Sequence, residues 1–164
     1  MITRRPAVAG SFYPDDAQEL GRELDRCFAR RRLFAGPPPL ALAAPHAGYV
    51  YSGPIAASGY ATLEPLRDRI RRVVLLGPSH RFAFRGFAVP EADAWDTPLG
   101  TVRLDRERLD QLAQRPGVLR SDRFHGPEHC LEVHLPFLQR VLGEFVLAPV
   151  LFGNVSVAEG QAQA

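Results

Sequence analysis

Lysine is absent from this 164-residue chain: all 20 of its basic side chains are arginine. That absence excludes a phosphate-loop lysine, a lysine Schiff base and any catalytic ammonium. Cysteine is scarce as well. Cys27 and Cys130 are too few for a disulfide framework. No apolar run approaches the roughly 20 residues that cross a bilayer. The N-terminus, Met1 to Arg5, leads into Pro6 and Gly10 without an apolar core, so no signal peptide is expected and the expected location is cytoplasmic. Charge of one sign is also modest, at a formal +2. Arg30-Arg31-Arg32 and the arginines of 67–72 interleave no aromatics, which argues for solvated helix ends and against nucleic acid as a partner.

What is present is an ordinary globular composition, 46% hydrophobic and 23% charged, in a length suited to one domain. Asp15 or Asp16 can cap a helix running to about residue 32, with Leu20, Leu24, Cys27 and Phe28 as its apolar stripe. Gly36 and three prolines follow, then an apolar strand at 40–44. Ser52-Gly53-Pro54 opens a second helix at 55–63 whose small residues suit close packing on a sheet. Strands are expected at 72–76, 84–90 and 100–104, with a turn around Trp95, and Asp105 caps a helix to about 114. A helix over 127–142, kinked or split by Pro136, precedes a last apolar strand at 144–152. Strands alternating with helices predict an α/β three-layer sandwich with a largely parallel central sheet. The chain divides into a domain at 1–156 and a polar tail at 157–164. With no covering helix after it, the last strand is expected to be exposed and prone to pairing, as in a C-terminally incomplete domain.

Chemistry concentrates in histidine. His46 and His80 each follow a buried-strand pattern and a proline-containing turn, the place where open α/β sheets bind ligands. Two neutral imidazoles delivered there can share one metal ion, and spacing alone leaves iron and zinc open. A second cluster runs His125-Gly126-Pro127-Glu128-His129-Cys130-Leu131-Glu132-Val133-His134. Neither H-E-x-x-H nor H-x-x-E-H is present, since Val133 stands where the latter needs histidine. Glu128 and Glu132 share a helix face, as do Cys130 and His134, and a buried cysteine with a polar-face histidine is the plainer reading of the second pair. His129, expected beside a helix N-terminus, is a candidate proton donor, a partner behind the ligands, or a cap. Tyr49 and Tyr51 are candidates for the crevice wall or for packing over the sheet end. Ser79 lies in the crevice turn but lacks the G-x-S-x-G elbow of a nucleophile.

Six ordered blocks of this sequence resemble the Memo family, which includes bacterial and archaeal proteins called AmmeMemoRadiSam system protein B. They are Arg5-Pro6-Ala7-Val8-Ala9-Gly10-Ser11-Phe12-Tyr13-Pro14; Pro45-His46-Ala47-Gly48-Tyr49 with Tyr51-Ser52-Gly53; Leu76-Gly77-Pro78-Ser79-His80; Trp95-Asp96-Thr97-Pro98-Leu99-Gly100; Glu128-His129-Cys130-Leu131-Glu132-Val133-His134-Leu135-Pro136-Phe137-Leu138-Gln139; and Pro149-Val150-Leu151-Phe152-Gly153. The resemblance implies a fold similar to class III extradiol dioxygenases, a non-haem Fe(II) site (Cu or Zn being the alternatives), and His46 and His80 as metal ligands. It also implies a third ligand, often cysteine, and a further histidine in sequence beyond this chain. Cys130 falls where the family usually has serine. Two functions follow as expectations. One is metal-dependent redox or dioxygenase-like chemistry on a small molecule. The other is a non-catalytic adaptor that holds a peptide or protein partner in the same crevice. With only two ligands, the chain is expected to hold metal weakly.

Overall fold

The computed structural model describes residues 1–154, so the tail expected at 157–164 lies outside the described residues. Strand β1 (Thr3–Arg4) precedes helix α1 (Ala17–Ala29), which Asp16 caps by accepting from the backbone N–H groups of Gln18 and Glu19. Leu20, Leu24, Cys27 and Phe28 form its buried stripe, as the periodicity predicts. Helix α2 (Tyr49–Ala61) starts six residues before the expected position. Its first turn is anchored because Tyr49 N–H donates to Phe12 O at 2.8 Å. The small residues of α2 pack on α1 and not on a sheet: a Cβ at Gly53 would collide with Cys27 Sγ.

Then follow β2 (Arg72–Pro78), β3 (Phe87–Val89), β4 (Ala94–Thr97), β5 (Gly100–Leu104), α3 (Arg106–Ala113), β6 (Val118–Arg120), α4 (Asp122–His125), α5 (Leu135–Leu142) and β7 (Val146–Phe152). Trp95, expected in a turn, is a buried strand residue, and the turn lies after Thr97. The single helix expected over 127–142 is not formed. Residues 126–131 are irregular, Glu132–His134 make one 3-10 turn, and Pro136 sits in the first turn of α5, where its missing N–H costs nothing.

The seven strands form one α/β sheet in which β1–β4, β2–β7, β3–β6 and β5–β7 are parallel, while β4–β5 and β3–β7 are antiparallel. β7 is its spine. One edge pairs with β2 along all seven residues, from Arg72↔Val146 to Pro78↔Phe152. The opposite edge is shared, with β5 at Val146 and Leu147 and β3 at Leu151 and Phe152. Pro149, which has no N–H to donate, falls in the gap between those two neighbours. Helices α1, α2 and α5 pack together, and α3 packs on β3, β6 and β7.

Two expectations about strands are corrected. Residues 40–44 carry no ladder, although from Ala41 onward exposure alternates, with Ala41 and Ala43 exposed and Leu42 and Ala44 half-buried. The period-2 pattern is there; a partner strand, among the described residues, is not. The last strand is not the exposed one: β7 is flanked on both edges, and Leu147, Ala148, Val150 and Leu151 are all buried. Among the described residues β1, β6 and β2 each have a single neighbour, and β2 carries the most exposed apolar side chains of these, Val74 and Leu76 at 70% and 60%.

Candidate metal centre

Three segments converge beyond the C-terminal end of β2. His80 follows that strand by two residues, in a turn closed when Ser79 N–H donates to Phe152 O and Ser79 Oγ to Phe82 O. His46 lies two residues ahead of Gly48, the cap of α2. His129 comes from the irregular stretch before the 3-10 turn. Gly77 allows that stretch to lie against β2, since a Cβ there would sit 2.7 Å from Leu131 Cδ2 and 2.8 Å from Cys130 Sγ.

Ring centroids are 5.2 Å apart for His46 and His80, 5.9 Å for His46 and His129, and 4.6 Å for His80 and His129. One ring nitrogen from each lies within 4.8 Å of the other two. Nitrogens bound at tetrahedral angles to one ion stand about 3.3 Å apart, given metal–nitrogen bonds of about 2.0–2.1 Å. Small ring movements therefore bring all three into one coordination sphere. The expected pair becomes a trio within this chain.

The residue missed from sequence is Glu128. Its buried carboxylate accepts from the backbone N–H groups of His80, His129 and Cys130, and its Oε1 lies 3.1 Å from the Nδ1 atoms of both His80 and His129. The His80 contact is a hydrogen bond that leaves Nε2 of that ring for a ligand, the usual arrangement behind a metal-binding histidine, whereas His129 Nδ1 is buried near the carboxylate without a hydrogen bond. Burial pushes the Glu128 carboxyl up, but the N–H donors of His80, Cys130 and His129 and the His80 ring outweigh it and hold it at about 2. The i,i+4 pairing with Glu132 concealed this role, because no helix forms between them.

His46 and His129 are both held below the usual histidine range, first by burial and then by neighbouring imidazoles, with Glu128 opposing. The helix N-terminus expected beside His129 does not exist, so burial replaces the helix dipole as the cause. Phe12 packs on the His129 ring at 4.8 Å. His134 stands behind His46 at 6.4 Å, buried against Tyr60, and burial depresses it to about 4.

Cys130 Sγ also lies within 4.8 Å of ligand atoms of His80 and Glu128, a second grouping that could hold an ion, but its thiol is engaged elsewhere. Burial pushes its thiol up, and Sγ donates to Pro78 O at 3.0 Å. Tyr49 lies in the core with its hydroxyl donating to Val133 O, whereas Tyr51 is 84% exposed on α2. His125 is a core residue on Ala88 O, beside Trp95.

A second carboxylate, Glu132, fixes the N-terminal segment around this centre. It is fully buried, forms an ion pair with Arg4 at 2.6 Å, and accepts from Ala7 N–H, Val8 N–H and the Tyr13 hydroxyl. Arg4 in turn donates to the carbonyls of His125 and Glu128. The Arg5 to Pro14 block of the sequence is thus a strap over the stretch that carries His129.

No helix among the described residues is long and apolar enough to cross a membrane. The Memo-like protein family model matches residues 4–164. A MEMO1 family protein of Methanopyrus kandleri is 42% identical over 160 residues, covering 91% of this chain and 56% of its own length. Those of Aquifex aeolicus and Thermotoga maritima are 40% and 38% identical, covering 92% and 99% of this chain and 55% and 63% of their own lengths. The chain therefore spans somewhat more than half the length of these curated relatives. On the family match and these identities, the chain belongs to the Memo-like family.

Proposed function

We propose that this chain binds one divalent transition-metal ion through His46, His80 and His129, with ferrous iron the resident ion. The observation that supports this most is the convergence of the three imidazoles, one ring nitrogen of each within 4.8 Å of the other two, in front of the Glu128 carboxylate that holds His80 through Nδ1. The donor set fits: three imidazole nitrogens suit iron, copper or zinc, and burial, which lowers the pKa of His46 and His129, favours their neutral, ligating form. Such an ion with open positions supplies Lewis acidity and, for iron or copper, one-electron redox chemistry of the dioxygenase-like kind. The protein's own contribution is to hold the rings, to keep a buried anion behind them, and to place His134 against His46.

Metal content after anaerobic loading with Fe(II), Zn(II) or Cu(II) tests this. Wild type should hold one equivalent, and His46→Ala and His80→Ala should hold little. His129→Ala separates a three-histidine site from a two-histidine one. Equal metal in wild type and in His46→Ala/His80→Ala overturns the proposal, and protein isolated anaerobically from iron-replete cells with zinc or copper in place of iron overturns the assignment of iron.

A further inference from the structure

A second group of metal-ligating atoms lies behind the three imidazoles and shares one residue with them. A nitrogen of His80, a carboxylate oxygen of Glu128 and Sγ of Cys130 all stand within 4.8 Å of one another. Sulfur and nitrogen bound at tetrahedral angles to an ion of zinc's size are about 3.5 Å apart, given bonds of about 2.3 Å and about 2.0–2.1 Å. Small movements therefore bring the three donors onto one ion. His80 Nδ1 and Glu128 Oε1 are already 3.1 Å apart. The thiol has a place made for it: a Cβ at Gly77 would sit 2.8 Å from Sγ, so glycine in β2 leaves the room that sulfur fills.

Each donor has capacity to spare. Glu128 Oε1 meets the His80 ring and the N–H groups of His129 and Cys130, whereas Oε2, among the described residues, accepts only from His80 N–H and keeps a lone pair. Cys130 Sγ donates to Pro78 O at 3.0 Å, a weak bond that a cation breaks when it takes the place of the proton on sulfur. Of the three residues His80 is the open one, its side chain 38% exposed, with Glu128 and Cys130 buried behind it. An ion enters past the imidazole and meets a buried carboxylate and a buried sulfur.

Sulfur decides which ion. A thiol that must give up both its proton and its hydrogen bond selects cations with strong affinity for thiolate, whereas imidazoles alone suit borderline ions. We propose that His80, Glu128 and Cys130 form a second cation site, selective for a thiophilic ion with a filled d shell such as Cu(I) or Cd(II). Binding breaks the S–H bond, forms a sulfur–metal bond and sends the proton to solvent, with no change in oxidation state. The His80 nitrogen used is the Nδ1 that faces Glu128, and the ring proton then resides on Nε2. A ring in that state is no ligand to the three-imidazole centre, so a thiophilic ion shuts that centre off. This last consequence rests on the reading of His46, His80 and His129 as a metal centre; the second site does not.

The test is a Cd(II) titration of the full chain, anaerobic and free of added thiols, followed by thiolate-to-cadmium charge transfer in the ultraviolet. Wild type and Cys27→Ser should gain the band with one equivalent of Cd(II), and Cys130→Ser should not. His80→Ala should weaken binding by about tenfold or more, and His46→Ala/His129→Ala should keep the band. Cadmium NMR of the wild type, which needs no variant to fold, should find one sulfur in the cadmium shell. The proposal is overturned by the absence of a band, by a shell of nitrogen and oxygen alone, or by a band that survives Cys130→Ser or is lost in Cys27→Ser. Unchanged affinity in His80→Ala overturns it as well. In protein already holding one equivalent of zinc, the band should rise only as zinc is released; a band that rises with zinc retained overturns the sharing of His80. A chain that takes up no zinc yet shows the band would sink the three-imidazole centre and leave the second site standing.

Discussion

Glu132→Gln is the sharpest test of how the site is held. The carboxylate is fully buried and meets four groups that can donate: the Arg4 guanidinium at 2.6 Å, Ala7 N–H at 2.8 Å, Val8 N–H at 3.0 Å and Tyr13 O–H at 2.7 Å. Glutamine keeps the volume but replaces one acceptor oxygen by an NH2, so at least one donor loses its partner and a second donor points at it. Breaking a buried ion pair by removing one charge costs about 3–5 kcal/mol. Arg4 keeps its bonds to His125 O and Glu128 O, which favours the lower end of that range. Against a typical total stability of about 5–15 kcal/mol, this is a large share. Urea denaturation should show the midpoint falling with the slope unchanged, and limited proteolysis should cut first within residues 4–13, where the strap lets go. Arg4→Met/Glu132→Leu removes both charges together and should recover part of the loss. A Glu132→Gln variant within about 1 kcal/mol of wild type would refute the reasoning, since an exposed pair is worth no more than that.

Other outcomes are expected. Glu128→Gln should weaken metal binding about 10–100-fold, the usual cost of losing an anion behind ligating histidines; unchanged affinity in a competition titration would mean that the carboxylate only holds the backbone. Burial holds His125 at about 4. Its folded pKa thus lies below the ordinary 6.5, and the contribution to stability, intact above pH 6.5, is lost as pH falls towards 4, by about 3 kcal/mol in all. A urea midpoint that stays level from pH 7 to 4.5 would contradict this. Gly86→Ala should destabilise by at least about 2 kcal/mol, because Gly86 has φ +89° and a Cβ there would collide with Gly117 O. Gly21→Ala, on α1 with nothing within 4 Å of the added carbon, should raise the thermal midpoint by about 0.5–1 kcal/mol worth of stability.

Much of this architecture was legible in the residues themselves. The apolar stripe of α1, its Asp16 cap and the strands β2, β5 and β7 follow from period, capping and β-branched runs, and the family blocks pointed to the α/β fold. His46 and His80 do meet, as their placement beyond apolar runs predicts. Other elements depend on distant partners that no local pattern reveals. Residues 40–44 have the alternation of a strand but no neighbour to pair with, and residues 126–131 have helical spacing while their polar groups are taken by other segments. Glu128 escaped notice for the same reason: its partner His80 lies 48 positions away. Only the fold shows that N–H groups from two segments enclose it.

The position of β7 as spine has a consequence for how this protein comes into being. Val146 registers with both Arg72 and Arg103, and Leu151 and Phe152 register with β3, so a strand made late joins strands made much earlier. On a ribosome, β2, β3 and β5 emerge with their inner edges unoccupied and wait for residues 146–152. Such long loop closures slow folding and leave nascent strands open to wrong neighbours. The synthesis of this chain is therefore a race between the arrival of one seven-residue segment and the capture of its intended partners by anything else nearby.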